Sequence, residues 1–498
     1  MKKNFFITEM WQYLKTVLFG PRLYAIFANP DYYYNSNIFE NIGNHILSNL
    51  RGLKYTCMAL WPVILIVAIN NNLINTTSLP YLFRVLTICY LFGYSSRFVG
   101  RVMNKEYGVF VEELTNSLNK KTFKVYEKYD FEISKGPITF DNSLTNMANQ
   151  RKMFDNVGKD EIPDWGIFNI VRDALSYVAV HSFGKRLLYP GQVALLQYFF
   201  QPTFLNARKD YFLVHKAKRM VLLTPENDII DSIFFDRRNT NDSNGKYLVI
   251  CSEGNAGFYE VGLVNGVHPL GYSVMGWNTP GFVESIGETY PHRIAAAIDT
   301  VFQNALAQGF REEDIIVYGW SIGGYPSTWL AANYPKIKHL VLDATFDDVL
   351  PLARLRMPEI LEGAVVHAIR TYLNLPVSTQ LEHYKGEVTI IRRLRDEMII
   401  TNPLGTYSEK TASNRANNLL KKLILSRHFD IFQNRPELVK YIDIWLALDE
   451  ISRISLHDDD SQIEEIYKIC SKYFVDVDLG HNDPLGSNVF KLIIESSN

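Results

Sequence analysis

The stretch Gly319-Trp320-Ser321-Ile322-Gly323-Gly324 decides the fold of this 498-residue chain. The apolar residues 314–318 before it are typical of a buried strand, and residues 325–334 after it are typical of a helix. A G-x-S-x-G turn between a strand and a helix predicts a nucleophile elbow, in which a tight turn holds the serine oxygen clear of the sheet. The N–H groups and the positive dipole end of that helix favour a negative charge that develops beside the serine.

Strands and helices alternate on both sides of this elbow. Apolar runs predict strands at 219–223, 229–236, 246–251, 271–277, 338–343 and 387–393. Helical periodicity follows at 292–309, 350–384 and 411–471, and we expect the helices of 350–384 to cap the site. Such alternation is typical of a mainly parallel sheet with helices on both faces. Together with the elbow, it predicts the α/β class and the α/β-hydrolase fold.

Composition excludes several classes of protein. Hydrophobic residues make up 47% of the chain and aromatic residues 13%, which is enough for a sizeable core and argues against disorder. The net charge of −2 gives no basic field for nucleic acid. The four cysteines are scattered without metal-ligand spacing, so neither a metal site nor a disulfide framework is expected. Glu9 and Lys15 interrupt the first apolar stretch, so it is not expected to be a secretory signal.

The most apolar part of the chain precedes the predicted sheet. Residues 55–83 carry no charged side chain, and a second apolar block at 79–94 carries only Arg84. A membrane-crossing helix needs roughly 20 apolar residues, so the segment 55–97 is expected to form a transmembrane helical hairpin. Lys and Arg flank its outer ends and are missing from its loop at 70–78, which predicts that both ends are cytosolic. A pair of buried core helices or a re-entrant hairpin is the alternative.

These patterns divide the chain into four expected regions. Residues 1–54 form an N-terminal cytosolic segment, and residues 55–97 form the hairpin. Residues 98–215 form a helical linker or membrane-proximal region. Residues 216–498 form the catalytic domain, with its cap helices at about 350–384.

The base that Ser321 needs lies later in the chain. In the hydrolase fold the chain order is Ser, then Asp or Glu, then His. We favour His481, because it lies on a Gly/Pro-rich loop after a short apolar stretch. The other histidines that follow at a useful distance are His367, His383, His428 and His457.

The orienting carboxylate and the oxyanion donors come from strand ends. Asp396 directly follows the predicted strand 387–393 and is the favoured acid, with Asp343 as its rival. Asp347 and Asp348 are weaker candidates, since an aspartate at a strand end is often a turn residue. Donors to the oxyanion are expected from the backbone N–H groups of Ile322 and of Asn255, the latter in the loop 253–257.

Several motifs together resemble one known family, the membrane phosphatidylserine lipases named α/β-hydrolase-domain-containing protein 16. They are GPRLY at 20–24, LLYPG at 187–191, EGNAGFYE at 253–260, GWN at 276–278, WSIGG at 320–324, LDA at 342–344, DD at 347–348, RR at 392–393, DE at 396–397 and SNR at 413–415. The text around His481 and over 106–160 departs from the family pattern.

The resemblance implies an integral membrane enzyme of the endoplasmic reticulum. It implies hydrolysis of an acyl ester of phosphatidylserine to lysophosphatidylserine and a fatty acid, with monoacylglycerol as a further substrate and no metal or organic cofactor. The family's nucleophile falls on Ser321 and its acid on Asp396, while its histidine falls in a C-terminal loop that here offers His481. Another acyl-transfer enzyme, such as a thioesterase or acyltransferase, and a catalytically silent membrane scaffold remain as alternatives. The sequence does not predict an oligomeric state.

Overall fold

The chain folds into two compact units. The computed structural model describes residues 2–27, 34–71, 74–75, 77–144, 151–240 and 242–495. The first unit contains Met1–Thr139 and Gln192–Val221, and the second contains Phe140–Gly191 and Leu222–Asn498. The region boundaries expected from the sequence, at residues 54, 97 and 215, stay a prediction.

Within the described residues, the helices are α1 Lys2–Phe19, α2 Ile38–Ala59, α3 Trp61–Asn70, α4 Ser78–Met103, α5 Lys105–Lys120, α6 Lys124–Lys128, α7 Asn169–Ala179, α8 Lys185–Leu188, α9 Ala194–Leu213, α10 Val264–Val267, α11 Pro291–Ala307, α12 Gly324–Asn333, α13 Leu350–Arg356, α14 Glu362–Tyr372, α15 Val377–Glu382, α16 Tyr407–Ala412, α17 Ala416–Arg427, α18 Phe429–Gln433, α19 Val439–Ala447, α20 Glu450–Ile454, α21 Ser461–Tyr473 and α22 Ser487–Glu495. The strands are β1 Leu23–Ile26, β2 Tyr129–Phe131, β3 Phe140–Asp141, β4 Lys218–Leu223, β5 Ile229–Phe235, β6 Leu248–Ser252, β7 Ser273–Trp277, β8 Ile315–Trp320, β9 His339–Asp343, β10 Glu387–Arg395 and β11 Phe474–Gly480.

Close helix packing around a buried arginine organises the first unit. Helices α2 and α4 pack along their lengths, and a Cβ at Gly100 of α4 would lie 2.2 Å from the backbone nitrogen of Glu40. Arg101, which is fully buried, forms an ion pair with Glu40 at 3.2 Å. Its guanidinium also donates to the carbonyl oxygens of Val17 and Pro21, both at 3.0 Å. The buried charge is therefore neutralised and hydrogen-bonded, as a buried cation must be.

The predicted membrane hairpin at 55–97 falls in this unit. By length and composition, no single helix among the described residues qualifies as a membrane span. One bent pair, Ile38–Met58 with Val63–Asn70 at 88°, qualifies when its two helices are taken together. The hairpin stays a prediction, and part of its loop at 70–78 lies outside the described residues.

A largely parallel sheet forms the centre of the second unit. Among the described residues the strand order is β11-β10-β9-β8-β6-β7-β5-β4-β3, and the boundary between the two units falls inside β4. Strands β6 to β11 pair in parallel with one another, whereas β5 pairs antiparallel with β7. Strands β6 and β9 are buried at every residue, which is typical of a sheet covered on both faces.

The strand register gathers several chain segments at one edge of the sheet. Trp320 at the end of β8 lies opposite Asp343 at the end of β9. In the outermost strand pair, Arg395 at the end of β10 lies opposite Gly480 at the end of β11. Because parallel strands end at the same edge, the residues that follow these strands meet there.

Two strands of the sheet, β3 and β11, were missing from the sequence prediction. Residues 474–480 form β11, which pairs only with β10 among the described residues and so lies at the sheet edge. Its run Phe-Val-Asp-Val-Asp-Leu-Gly carries two aspartates and is only half-buried, so it lacks the apolar signal of a central strand. The strand places His481 directly beyond the sheet edge.

Candidate active site

The elbow adopts the strained turn that its sequence predicts. Strand β8 ends at Trp320, and Ser321 has a φ of +55°, a left-handed conformation that is uncommon for any residue except glycine. A Cβ at Gly323 would lie 2.1 Å from the carbonyl oxygen of Ser252, and a Cβ at Gly319 would lie 2.5 Å from Ser327 Oγ. Glycine is therefore required at both positions, because the turn passes so close to β6 and α12.

Ser321, His481 and Asp396 form one chain of hydrogen bonds. His481 Nδ1 lies 2.7 Å from Asp396 Oδ2, and His481 Nε2 lies 2.9 Å from Ser321 Oγ. Since a carboxylate only accepts, Nδ1 carries the proton and Nε2 accepts from the serine hydroxyl. All three residues are buried. The arrangement matches the geometry of a nucleophile, a base and an orienting acid, and the catalytic roles of the three residues remain a prediction.

Backbone groups fix the carboxylate of Asp396. Its Oδ1 accepts from the N–H groups of Met398 at 2.8 Å and of Ile399 at 3.0 Å. The other oxygen is thereby left to face His481. A carboxylate held in this orientation can stabilise an imidazolium.

Arg393 holds the loop that carries His481. Its Nη1 donates to the carbonyl oxygens of Gly480, His481 and Asp483 at 2.9, 2.8 and 2.5 Å. Trp320 Nε1 also donates to the carbonyl of His481, at 3.2 Å. The loop is thus anchored to the end of β10 and to the elbow itself. No local sequence pattern marks this role of Arg393.

The rival acids have other partners. Asp343 is fully buried and receives two hydrogen bonds from Arg393, at 2.8 and 2.7 Å. Asp347 forms an ion pair with Arg415 at 2.6 Å. Asp348 pairs with Arg370 at 2.7 Å. None of these carboxylates is hydrogen-bonded to His481 within the described part of the chain.

The remaining candidate histidines lie in other environments. His428 packs against the ring of Tyr473, and His457 is largely exposed, 3.7 Å from Glu464. His367 Nε2 lies 3.2 Å from Asp173. His383 Nδ1 donates to the carbonyl oxygen of Thr379 at 2.8 Å. Of the five candidates, His481 is therefore the one that the structure places on Ser321.

An apolar cavity of about 430 Å³ adjoins Ser321. Asn255 and Ile322, the predicted oxyanion residues, line it together with Ser321 and His481. Helices α7, α13 and α14 and the π-helical turn Val180–Gly184 supply most of the apolar side chains, among them Leu175, Val178, Phe183, Leu352, Ala368 and Ile369. The volume lies within the range of about 300–1,000 Å³ that is usual for small-molecule sites. The cavity can hold an acyl chain with its ester beside Ser321.

A buried carboxyl group lies next to the predicted oxyanion loop. Glu253 precedes Gly254 and Asn255, and burial raises the pKa of its side chain to about 8. Its Oε1 accepts from the N–H of Leu263 at 2.8 Å, and the nearby Glu260 adds to the rise in pKa. Glu253 is thus largely protonated at neutral pH. From the sequence alone, Glu253 stood out only as part of the loop motif 253–257.

The described residues contain no group of three or more His, Cys, Asp or Glu side chains arranged to hold a metal ion.

Two domain families match the chain. Residues 12–132 match the family described as the phosphatidylserine lipase ABHD16 N-terminal domain. Residues 247–485 match the family described as the alpha/beta hydrolase fold. The second match and the parallel sheet confirm the predicted fold class.

Solved structures of low identity also align with the chain. An alpha-beta hydrolase from Vibrio vulnificus is 13% identical with a TM-score of 0.38, covering 68% of this chain and 95% of that chain. An esterase of Pyrococcus furiosus is 12% identical with a TM-score of 0.32, covering 58% of this chain and 88% of that chain.

Two relatives match the chain over different lengths. An uncharacterised protein of Caenorhabditis elegans is 37% identical over 490 residues, covering 96% of this chain and 98% of that protein. Phosphatidylserine lipase ABHD16A of Homo sapiens is 46% identical over 254 residues, covering 51% of this chain and 45% of the human protein. The latter match therefore spans less than half of the human protein's length. These relatives and the N-terminal domain match confirm the resemblance seen in the sequence: the chain belongs to the α/β-hydrolase-domain-containing protein 16 (ABHD16) family.

Proposed function

We propose that this chain is a serine lipase that hydrolyses an acyl ester of phosphatidylserine to lysophosphatidylserine and a fatty acid. The observation that carries the proposal is the hydrogen-bonded chain from Asp396 through His481 to Ser321, which ends at an apolar cavity. The human relative named a phosphatidylserine lipase supplies the substrate class. Monoacylglycerol is a further substrate, because its acyl ester presents the same carbonyl to the same cavity.

The reaction follows from the geometry of the site. Ser321 Oγ forms a bond to the ester carbonyl carbon while His481 Nε2 takes the hydroxyl proton. The carbonyl electrons move to oxygen, and the N–H groups of Ile322 and Asn255 stabilise that charge. When the tetrahedral species collapses, the glycerol oxygen leaves with the proton from His481. Water repeats the sequence on the acyl-enzyme, releases the fatty acid and restores the serine.

The membrane setting is part of the same proposal. Several apolar side chains of α3 and of the first half of α4 are more than half exposed, among them Trp61, Ile66, Phe83 and Ile88. Exposed apolar groups of this density favour insertion of the segment 55–97 into a bilayer. We place the enzyme in the endoplasmic reticulum with its catalytic unit facing the cytosol. Protease protection in sealed microsomes tests this orientation: cleavage within residues 222–495 from the outside supports it, and protection contradicts it.

A labelling and product experiment tests the reaction. Wild-type protein is expected to react with a fluorophosphonate probe and to release lysophosphatidylserine from phosphatidylserine in membranes, whereas Ser321→Ala is expected to do neither. Equal labelling of wild type and Ser321→Ala, or no labelling of either, would favour a catalytically silent scaffold. If an added alcohol takes the acyl group in preference to water, the enzyme is an acyltransferase.

A pair of histidine variants tests the base. His481→Ala is expected to lower turnover by about 10³-fold or more, since the serine loses its proton acceptor. His457→Ala is the matched control, because that side chain is largely exposed and lies away from the hydrogen-bonded chain. Normal turnover in His481→Ala would show that another group acts as the base.

A further inference from the structure

The apolar cavity beside Ser321 contains one permanently charged side chain. Among the lining residues, Arg356 is the one that keeps its charge at every physiological pH. It is the last residue of α13 and is exposed to solvent as well as to the cavity. Arg356 therefore marks a place where the cavity meets the surface.

Neutral backbone groups hold the guanidinium of Arg356. Its Nη2 donates to the carbonyl oxygen of Met398 at 2.8 Å, and its Nη1 donates to that of Leu352 at 3.1 Å. Within the described residues it has no carboxylate partner, in contrast to Arg354 of the same helix, which pairs with Glu362 at 3.1 Å. An arginine has five N–H donors, so several remain to bind an external group. The side chain is thus fixed in place while its charge stays unneutralised.

The contact with Met398 connects this cation to the predicted triad. The N–H of Met398 donates to Asp396 Oδ1, and the other oxygen of Asp396 accepts from His481. One backbone residue therefore separates the guanidinium from the carboxylate of the predicted triad. In a phosphoglyceride, the phosphodiester is attached to the same glycerol as the acyl ester. With the acyl chain in the cavity and its ester at Ser321, we expect the phosphodiester at the cavity mouth.

We propose that Arg356 binds the anionic phosphodiester of the lipid substrate and so favours phospholipids over neutral acylglycerols. This inference rests on the proposed lipase function and specifies how its substrate is recognised. Arginine suits the role because its planar fork binds two phosphate oxygens at once. Neutral monoacylglycerol lacks this contact and is held by its acyl chain alone.

Substrate comparison with the full chain in mixed micelles tests the proposal. Arg356→Gln is expected to lower kcat/KM for phosphatidylserine by about 10–100-fold, because charge-assisted hydrogen bonds to the lipid are lost. Most of this change is expected in KM. For monoacylglycerol the same variant is expected to stay within about twofold of wild type. Arg356→Lys is expected to recover part of the loss, since it keeps the charge without the fork. Arg354→Gln is the matched control and is expected to leave both substrates unchanged.

Three outcomes would overturn the assignment. An equal fall on both substrates would make Arg356 a support for the Met398 loop, and no change on either would make it an ordinary surface residue. Phosphatidylglycerol, which has the phosphodiester but no carboxylate, separates the two anionic groups of phosphatidylserine. A loss on phosphatidylserine that is missing on phosphatidylglycerol would assign the contact to the serine carboxylate instead. Failure of the lipase function itself is distinguishable, because wild type would then hydrolyse none of the three lipids.

Discussion

Replacement of Arg393 by methionine is expected to destabilise the catalytic unit and to disable it. The guanidinium and its partner Asp343 have side chains that are 2% and 0% exposed, and two hydrogen bonds of 2.8 and 2.7 Å join them. Arg393→Met leaves the Asp343 carboxylate buried without its counter-ion, since Tyr318 donates to it but carries no charge. Loss of one partner of such a buried pair costs about 3–5 kcal/mol of unfolding free energy.

Arg395, two residues later in the same strand, provides the control. Arg395 pairs with Asp478 at 2.8 Å, but the two side chains are 57% and 77% exposed. An exposed pair contributes about 0–1 kcal/mol, so Arg395→Met is expected to unfold close to wild type. Urea unfolding in detergent, followed by tryptophan fluorescence, measures both variants. A loss below about 1 kcal/mol in Arg393→Met would refute the assignment of a buried, energetically coupled pair.

Activity separates the two roles of Arg393. The same side chain donates to three carbonyl oxygens of the His481 loop, so its loss is expected to misplace the base and lower hydrolysis of a soluble short-chain ester. Adding Asp343→Leu removes the unpaired carboxylate and is expected to restore part of the stability, while hydrolysis stays low. Full activity in the folded double variant would show that the loop holds its position without Arg393.

Three further predictions follow from the site. Asp396→Asn is expected to lower kcat/KM for a soluble ester by about 10⁴-fold, because the imidazole loses the carboxylate that orients it. Undiminished turnover would assign the role of acid to Asp343 instead. Burial raises the pKa of Glu253 from 4.5 to about 8. The neutral side chain therefore contributes stability that is fully present below about pH 4.5 and is lost as pH rises through about 8. Glu253→Gln cannot ionise, so its melting temperature is expected to fall less than that of wild type between pH 5 and 8, and parallel melting curves would contradict a raised pKa. Gly323→Ala is expected to abolish activity and folded yield, because the added Cβ would lie 2.1 Å from the carbonyl oxygen of Ser252. Gly266→Ala in α10 is the control and is expected to be tolerated, because its Cβ would lie 3.8 Å from the nearest atom. Equal yields of folded protein from the two variants would refute the packing argument.

The fold was predictable because its signals are local. Three signals lie within about twenty residues: the apolar run before Gly319, the glycines around Ser321 and the helix after them. They predict a strand, a tight turn and a helix in that order. The strands at the centre of the sheet are buried on both faces, so their sequences are almost wholly apolar. The chain order of the hydrolase fold then favours His481 among the histidines that follow Ser321.

The rest depends on partners that are distant in the chain. Strand β11 was not predicted, because Asp476 interrupts its apolar pattern. The strand tolerates Asp476 because this carboxylate forms an ion pair with Arg392 at 2.7 Å. The choice between Asp343 and Asp396 stayed open for the same reason. Arg393, which neutralises Asp343, lies 50 residues later in the chain. Nor did any local pattern mark Arg356, since only the fold brings α13 against Met398.

The long separation of the three side chains of the predicted triad has a consequence for synthesis. His481 lies 160 residues after Ser321 and 85 after Asp396. A ribosome makes the N-terminal part of a protein first, so the proposed nucleophile leaves the ribosome well before its proposed base exists. A half-made chain thus holds an unactivated serine. If the triad acts as proposed, ester cleavage requires β11 to have paired with β10, so a partly synthesised chain is not expected to cleave lipid esters.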